Sequence, residues 1–422
     1  MSQSQLPILI VGAGVAGPTL AIGLQRKGYK VVLFEKYDGP APGGVSLFLA
    51  PNGLRVYESI GLLESMVSEG IIMPTETFVH SDENGCIVNS NAPSLALKNF
   101  GLPYAGVKRS VLLEYLIESV QKQDIDIRFH HSLADIEQSE DSVTAIFENG
   151  ERFKGSILVG CDGLHSRTRI AIFGKETAEY TGLTQRGGLA LVPGRIRFQK
   201  NVYADKMHVI AYPVARDSLH GSTSRTDDNV SLLSWACTSV EGEARETWKA
   251  EAGDELRLEL LSQSNLDFQW TDSVTMKDII SNTPAIVKYG LYDRRELQTW
   301  HKGRVVLIGD AAHPTAPHLG QGANQALEDV RLLMDLLSKH IPPAEISSVS
   351  LDTFKLVADQ MDAIRIPRTS TLVKGAREVG KMRVLPNGSP EARERARKLK
   401  EDWEQPDDVI IKNLIQFLGL EN

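Results

Sequence analysis

An α/β fold with a sheet-rich insertion and a helical tail is what the sequence predicts, and three features carry that reading. Residues 7–36 run through a short apolar stretch, a glycine-rich turn, a helical pattern and a second apolar stretch. Residues 181–289 are dominated by alternating strand-like runs, and from about 350 onward the pattern is helical. With 422 residues there is chain enough for about two to three domains and an ample core.

In order, "PILIV" (7–11) reads as a strand, followed by a helix to Lys27 and Gly28 and a second strand in "KVVLFEK". This βαβ start is Rossmann-like. Residues 72–100 change character: "ETFVHSDENGCIVNSN" reads as a hairpin closed by Asn84-Gly85. A helix over 110–123, "DIRFHH" and the segment ending "SILVGCDG" return the chain to the first sheet. Runs such as "MHVIAYPV" and "NVSLLSWACTS" predict a second sheet. The apolar run 305–308 then ends at Gly309-Asp310, and a long proline-broken arm separates it from a helix starting at about Ala323. The expected organisation is a discontinuous dinucleotide-binding domain (1–71, 101–180 and 290–345), a β-sheet substrate domain (72–100 and 181–289) and a helical C-terminal region (346–422). In that region "SPEARERARKLKEDWEQ" reads as a solvated face.

Composition narrows the function classes. Net charge is −8, from 46 basic and 54 acidic residues, which disfavours a polyanion-binding surface, so no nucleic-acid partner is expected. Cys86, Cys161 and Cys237 stand far apart with no CxxC pair, which suits a reducing, cytoplasmic compartment. The uncharged run from Met1 to Gln25 lacks a basic leading region and contains four glycines and Pro18. It reads as neither secretory signal nor transmembrane segment.

"GAGVAG" places Gly12, Gly14 and Gly17 in GxGxxG spacing between strand and helix, where backbone N–H groups approach a pyrophosphate. Glu35, eighteen residues past Gly17 at the end of the second strand, can accept hydrogen bonds from a ribose; Lys36 is grouped with it. An acid there favours an unphosphorylated adenosine ribose, in NAD or FAD.

Two further segments decide between them. "ILVGCDGLHSRTR" (157–169) and "RVVLIGDAAHPTAPHLGQGANQALED" (304–329) resemble the DG and GD motifs of class A flavin-dependent monooxygenases, the para-hydroxybenzoate hydroxylase-like family. Together with GxGxxG they form an ordered set of three, and the resemblance covers most of residues 6–375. It implies bound FAD, NADPH or NADH as reductant, reaction with O2 at flavin C4a, and hydroxylation or epoxidation of an electron-rich aromatic, indole or polyene small molecule. A monomer or homodimer is implied, and the type is that of fungal small-molecule monooxygenases.

By the same resemblance Asp310 accepts from a flavin ribityl hydroxyl. Pro317, Gly320 and Gly322 lie along the isoalloxazine, and the amides of Gly322, Ala323 and Asn324 face its pyrimidine edge. Gly44, in the loop from Gly43 to Ser46, passes near the flavin, and Arg109 contacts FAD phosphate or adenosine. Asp162 stands between flavin and nicotinamide, although an Asp in that position also caps a strand-to-helix turn. The candidate catalytic residues are Arg186, matching an arginine of members acting on fungal-type substrates, and Tyr212 in "AYPV". For both, a structural salt bridge or a core-edge tyrosine is the competing reading. His313 and His318, five apart in a proline-broken loop, share no ligand face, so no metal site is expected. An antibiotic-inactivating monooxygenase, a flavin halogenase and a non-catalytic flavin-binding module are the alternatives; no WxWxIP-like run supports halogenation.

Overall fold

Strands Ile8–Val11, Val31–Phe34 and Ile157–Gly160 are buried at every position, as strands must be when both faces of a parallel sheet are covered. They form the middle of a six-stranded sheet in the order His301–Lys302, Val305–Leu307, Ile157–Gly160, Ile8–Val11, Val31–Phe34, Asp126–Arg128. All pairings are parallel except the terminal His301–Lys302 hairpin. Helices Ala16–Arg26, Arg109–Lys122 and Gly322–His340 pack around it. The computed structural model describes residues 6–41, 43–215, 229–242, 249–250 and 254–421.

A second sheet of eight strands runs in the order Lys249–Ala250, Ile286–Asp293, Glu179–Pro193, Val230–Val240, Met207–Val214, Phe198–Ala204, Thr77–Asp82, Gly85–Ser90. The hairpin of the 72–100 segment thus extends the sheet of the 181–289 segment, with Thr77–Asp82 parallel to Phe198–Ala204. Its turn lies one residue earlier than the sequence suggests: Asp82 pairs with Gly85, leaving Glu83-Asn84 as the turn, and Gly85 takes φ +113° inside the ladder.

The two faces of this sheet are different. Side chains alternate along each strand, and residues directly paired share a face. Cys237 and Val209 lie in one row and pack, with Trp235, on Leu256, Leu260 and Ile279 of helices Asp254–Ser262 and Met276–Ser281. Tyr212 and Ser234 form a row of the other face. That face turns toward a small sheet of Ser46–Leu49, Tyr104–Lys108 and Met73–Thr75, which bridges the two large ones.

The C-terminal region is helical: Leu351–Arg383, Pro390–Trp403 and Asp407–Leu418. The long first helix lies on Gly322–His340 and on the arm at Pro317–Leu319. The charge-dense helix 390–403 is solvated on one side only. Leu399 and Trp403 pack on Ile87, Val88 and Tyr203, while Arg397 pairs with Glu394 and Glu401 in solvent, where such pairs add little stability. Among the described residues no helix is long and apolar enough to cross a membrane.

Candidate cofactor and active site

The glycine fingerprint divides by what surrounds each position. Gly12 has φ +104°, and a Cβ there would lie 2.6 Å from the Cys161 carbonyl oxygen; a Cβ on Gly17 would collide with the Gly12 carbonyl. Both are needed by the protein itself, which brings strand, turn and helix closer than a side chain permits. Gly14 is different, because a Cβ at that position would meet no protein atom within 4 Å. The helix behind it begins at Ala16 with no side-chain cap, so its first amides stay available at the positive end of an 11-residue dipole. A bare backbone, uncapped amides and an open cradle fit a pyrophosphate.

Glu35 closes the far side of the turn. Its carboxylate is buried, with Oε2 accepting the Ala13 amide at 2.7 Å and Oε1 accepting the Tyr37 amide at 3.1 Å. Each oxygen keeps a lone pair for a ribose hydroxyl. Lys36 is exposed and stands over the Tyr37 ring. Arg109, the first residue of its helix, donates to the carbonyls of Ala41 (3.1 Å) and Gly43 (2.7 Å), and a Cβ on Gly44 would come 2.6 Å from its Cδ. Burial lowers the Arg109 pKa, opposed by the charges of Asp310, Glu35 and Tyr37. The two acids that the sequence assigns to opposite ends of the cofactor thus act on one guanidinium.

Asp310 combines two properties that rarely coincide. Protein packs around it closely enough for desolvation to push its pKa up, against the pull of His313 and Arg109, yet its surface is exposed. A carboxylate that is crowded by protein yet open on one side suits a ribityl hydroxyl. The turn that presents it is held from behind. Asp329 Oδ2 accepts the Gly309 amide at 2.8 Å and lies 2.6 Å from His313 Nε2, while Oδ1 accepts Arg365 Nε at 2.6 Å. Burial alone would raise the Asp329 pKa; His313 and Arg365 outweigh it and hold the acid ionised. Arg365 and Arg368 also bind Glu328.

The arm then runs through Pro317–Leu319 and Gly320 (φ +61°) into the 19-residue helix that begins at Gly322, again without a side-chain cap. The amides of Gly322, Ala323 and Asn324 are its first turn. The Asn324 side chain is engaged elsewhere. It accepts the Ala50 amide and donates to the carbonyls of Phe48 and Gly320, locking the arm to strand Ser46–Leu49. Asp162 is likewise occupied, accepting from the Ser166 hydroxyl at 2.5 Å and from the Thr168 amide and hydroxyl. It shapes the strand-to-helix turn, whose N-cap is Ser166.

On the substrate side the two candidate catalytic residues part company. Tyr212 faces the bridging sheet, its hydroxyl 2.7 Å from Ser46 Oγ, which is 2.5 Å from Ser234 Oγ, and its ring lies 4.9 Å from Phe48. Burial pushes its pKa up, against those two serines, so it stays a neutral phenol. Gln185 and Tyr289 are hydrogen-bonded nearby on the same face. Arg186 pairs with Cys237 and so projects from the opposite face, fully buried, binding Ser239, Glu241 and Glu259. The guanidinium is committed to two carboxylates on the helix-covered side, so the structure does not bring Arg186 together with Tyr212. Sequence reasoning also missed Asp329 and Arg365. A signal existed for Asp329, since it falls between Ala326 and Leu333 on the buried stripe of its helix.

Fold and site together define a flavin-dependent oxidoreductase, with a dinucleotide cradle at Gly14, an exposed acid at the end of strand Val305–Leu307 and a second sheet tied to the first through the bridging strands. The FAD binding domain family model matches residues 5–355. The chain belongs to this family, the para-hydroxybenzoate hydroxylase-like class A flavin monooxygenases, and is an FAD-dependent monooxygenase. Among its relatives, the FAD-dependent monooxygenase penM of Penicillium crustosum is 30% identical over 89% of this chain and 78% of its own. The 3-amino-4-hydroxybenzoate 2-monooxygenase of Streptomyces cremeus is 29% identical over 95% and 93%. The crystal structure of Klebsiella pneumoniae HpxO complexed with FAD and uric acid superposes with a TM-score of 0.78 at 20% identity, covering 99% of this chain and 97% of that one.

Proposed function

We propose that the chain uses FAD, NADPH or NADH, and O2 to insert one oxygen atom into an electron-rich aromatic, indole or polyene small molecule. The observations that carry this reading are the surface-exposed Asp310 turn that ends the first sheet and the neutral Tyr212–Ser46–Ser234 row, which ties the inward face of the second sheet to the bridging strand Ser46–Leu49. The activity named for the Streptomyces relative supports an aromatic substrate. The bound flavin supplies the oxygen chemistry. The chain supplies the rest: Gly14 and the Ala16 helix hold the pyrophosphate, Glu35 the adenosine ribose and Asp310 the ribityl chain, with Arg109 near phosphate or adenosine. Pro317, Gly320 and the amides at 322–324 face the ring. Tyr212, held by Ser46, donates or accepts one hydrogen bond to orient the substrate. The proposal includes a reducing, cytoplasmic setting, supported by three unpaired thiols of which Cys86 is exposed.

The test is to purify the protein, record its visible spectrum and screen aromatic compounds for stimulated NADPH or NADH oxidation together with product mass. A gain of one oxygen atom supports the proposal. A halogenated product, turnover confined to an antibiotic, or bound flavin with no substrate-stimulated oxidation overturns it in favour of halogenase, drug-inactivating enzyme or binding module.

A further inference from the structure

Five hydrogen bonds from three helices converge on the Glu328 carboxylate. Its Oε1 accepts Asn52 Nδ2 at 2.6 Å, Arg368 Nη2 at 2.7 Å and Gln325 Nε2 at 3.0 Å, and its Oε2 accepts Arg368 Nε at 2.6 Å and Arg365 Nη1. Both arginines stand on the long helix Leu351–Arg383, Asn52 on the first turn of helix Pro51–Ser59, and Gln325 on Glu328's own helix, Gly322–His340. Arg368 Nη2 also reaches the Phe417 carbonyl at 3.3 Å, which ties the last helix into the same cluster. Burial alone would raise the Glu328 pKa; Arg368, Arg365 and Asn52 outweigh it and keep the acid ionised, so both oxygens only accept.

The neutral donors carry the cluster on to Gln321, the residue before Gly322. Gln321 Oε1 accepts Asn52 Nδ2 at 3.0 Å and Gln325 Nε2 at 3.3 Å. Asn52 is the shorter link at both ends. An amide nitrogen has two hydrogens, so one goes to Glu328 and the other to Gln321. The Asn52 Oδ1 is left buried and, among the described residues, without a hydrogen bond, an arrangement that lowers stability. Glu328 dictates it, since an ionised carboxylate accepts only from the nitrogen end of the amide. The same helix turn grips the arm a second time: the Ala50 amide donates to Asn324 Oδ1 at 2.9 Å, and a Cβ on Gly53 would collide with that oxygen. Gln321 and Asn324 flank the amides of Gly322 and Ala323, the uncapped start of the helix. Those amides are therefore held on both sides, and the hold at Gln321 depends on Glu328.

Resting on the monooxygenase reading, we propose that Glu328 is a positioning residue: through Asn52 and Gln321 it fixes the Gly322 and Ala323 amides against the bound FAD ring, and so sets how readily the cofactor is reduced. Glu328 lies about 9 Å along the helix axis from Gly322, so it acts through its neighbours. The positive end of a helix favours added negative charge, and that influence falls off within the first turn. A small displacement of these two amides is therefore felt by the ring.

The experiment equilibrates the FAD-loaded protein with a redox dye of known potential and reads oxidised against reduced flavin by absorption, with melting of each apoprotein recorded alongside. Glu328→Gln keeps the shape of the side chain, removes its charge and puts a donor where Asn52 or an arginine meets an acceptor. It is expected to shift the equilibrium about tenfold or more toward oxidised flavin. The lost negative charge, acting through space, would favour reduction, so the sign of the shift separates the two causes. Asn52→Leu leaves both arginine pairs in place and cuts the link to Gln321; a shift in the same direction, with a smaller drop in melting temperature, is expected. Glu328→Asp, one methylene short, should recover part of the Glu328→Gln shift. Leu260→Ala, which opens a cavity in the core behind the second sheet, should lower melting and leave the equilibrium unchanged. A wild-type equilibrium in Glu328→Gln or in Asn52→Leu, a shift toward reduced flavin, or an equal shift in Leu260→Ala overturns the proposal. Where Glu328→Gln fails to fold, the Asn52→Leu reading decides. Oxygen insertion by the wild type with no shift in either variant refutes this inference and leaves the monooxygenase reading intact, whereas a protein that takes up no flavin refutes the reading itself.

Discussion

Asp329 holds Gly309: its carboxylate accepts that residue's amide at 2.8 Å, one position before Asp310, and the same oxygen meets His313 at 2.6 Å. One buried acid thereby ties down the Gly309 backbone before Asp310 and the His313 side chain after it. Asp329→Ala removes the acceptor of the Gly309 amide and of His313 and leaves Arg365 with Glu328 and Gln325 alone. Loss of one partner from a buried charge cluster costs about 3–5 kcal/mol, so the variant is expected to unfold at lower urea concentration and to release FAD on gel filtration. Wild-type flavin occupancy in a folded Asp329→Ala protein would remove Asp329 from any role in presenting Asp310.

The glycines of the fingerprint should separate in a pair of variants. Gly14→Ala adds a methyl group where no protein atom lies within 4 Å, so the apoprotein is expected to melt within a degree or two of wild type while FAD affinity falls at least tenfold. Gly12→Ala forces a Cβ against the Cys161 carbonyl at φ +104° and should destabilise the apoprotein itself, by about 1–3 kcal/mol or more. Calorimetry on the two apoproteins, followed by FAD titration, checks both. Equal behaviour of the two variants contradicts the division.

Arg186→Lys is predicted to act on stability and leave coupling alone. The lysine keeps the charge but not the fork that reaches Ser239, Glu241 and Glu259 together. A lower melting temperature, with wild-type product formed per nicotinamide oxidised, is the expected pair of readings. Uncoupled turnover with hydrogen peroxide release would restore Arg186 to the substrate site.

Three buried histidines set a pH dependence of stability. Burial, then the charge of Arg383, depresses His80 to about 4 and His318 to about 3, and His208 lies well below its ordinary value for the same two leading causes. All three folded values lie below the unfolded value near 6.5, so their contribution is fully present above pH 6.5 and is lost as pH falls through 6 toward 4. Each uncharged histidine adds up to about 1.4 kcal/mol per pH unit to that slope. His318→Gln should unfold with about one proton fewer taken up between pH 6 and 5, measured by urea titration at a series of pH values. Parallel curves for variant and wild type contradict the assignment.

What was legible in the sequence was local. The fingerprint glycines and the acid ending the second strand follow from backbone needs within 30 residues, and the arm before Gly322 is marked by its own prolines and glycines. The facing of the sheet strands was not legible. Arg186 and Tyr212 sit in strands joined through Val230–Val240, and which one looks inward is set by the pairings Arg186–Cys237 and Tyr212–Ser234, with the register of the first strand shifting between Tyr180 and Thr184. Arg365 reaches Asp329 across 36 residues, so it has no local pattern to betray it.

The strand order of the first sheet imposes a schedule on the nascent chain. Ile8–Val11 gains Val31–Phe34 at once, but Ile157–Gly160 waits for Val305–Leu307, and Tyr29 waits for the Ile341 carbonyl that its hydroxyl binds. At a translation rate of about 5–20 residues per second, roughly 7 to 30 s pass between the two neighbouring strands. During that interval a buried, wholly apolar strand presents an open edge while six of the eight strands of the second sheet are being made. The emerging polypeptide is therefore a natural client for a ribosome-associated chaperone, and a ribosome stalled anywhere between 160 and 305 would carry an adhesive half-sheet.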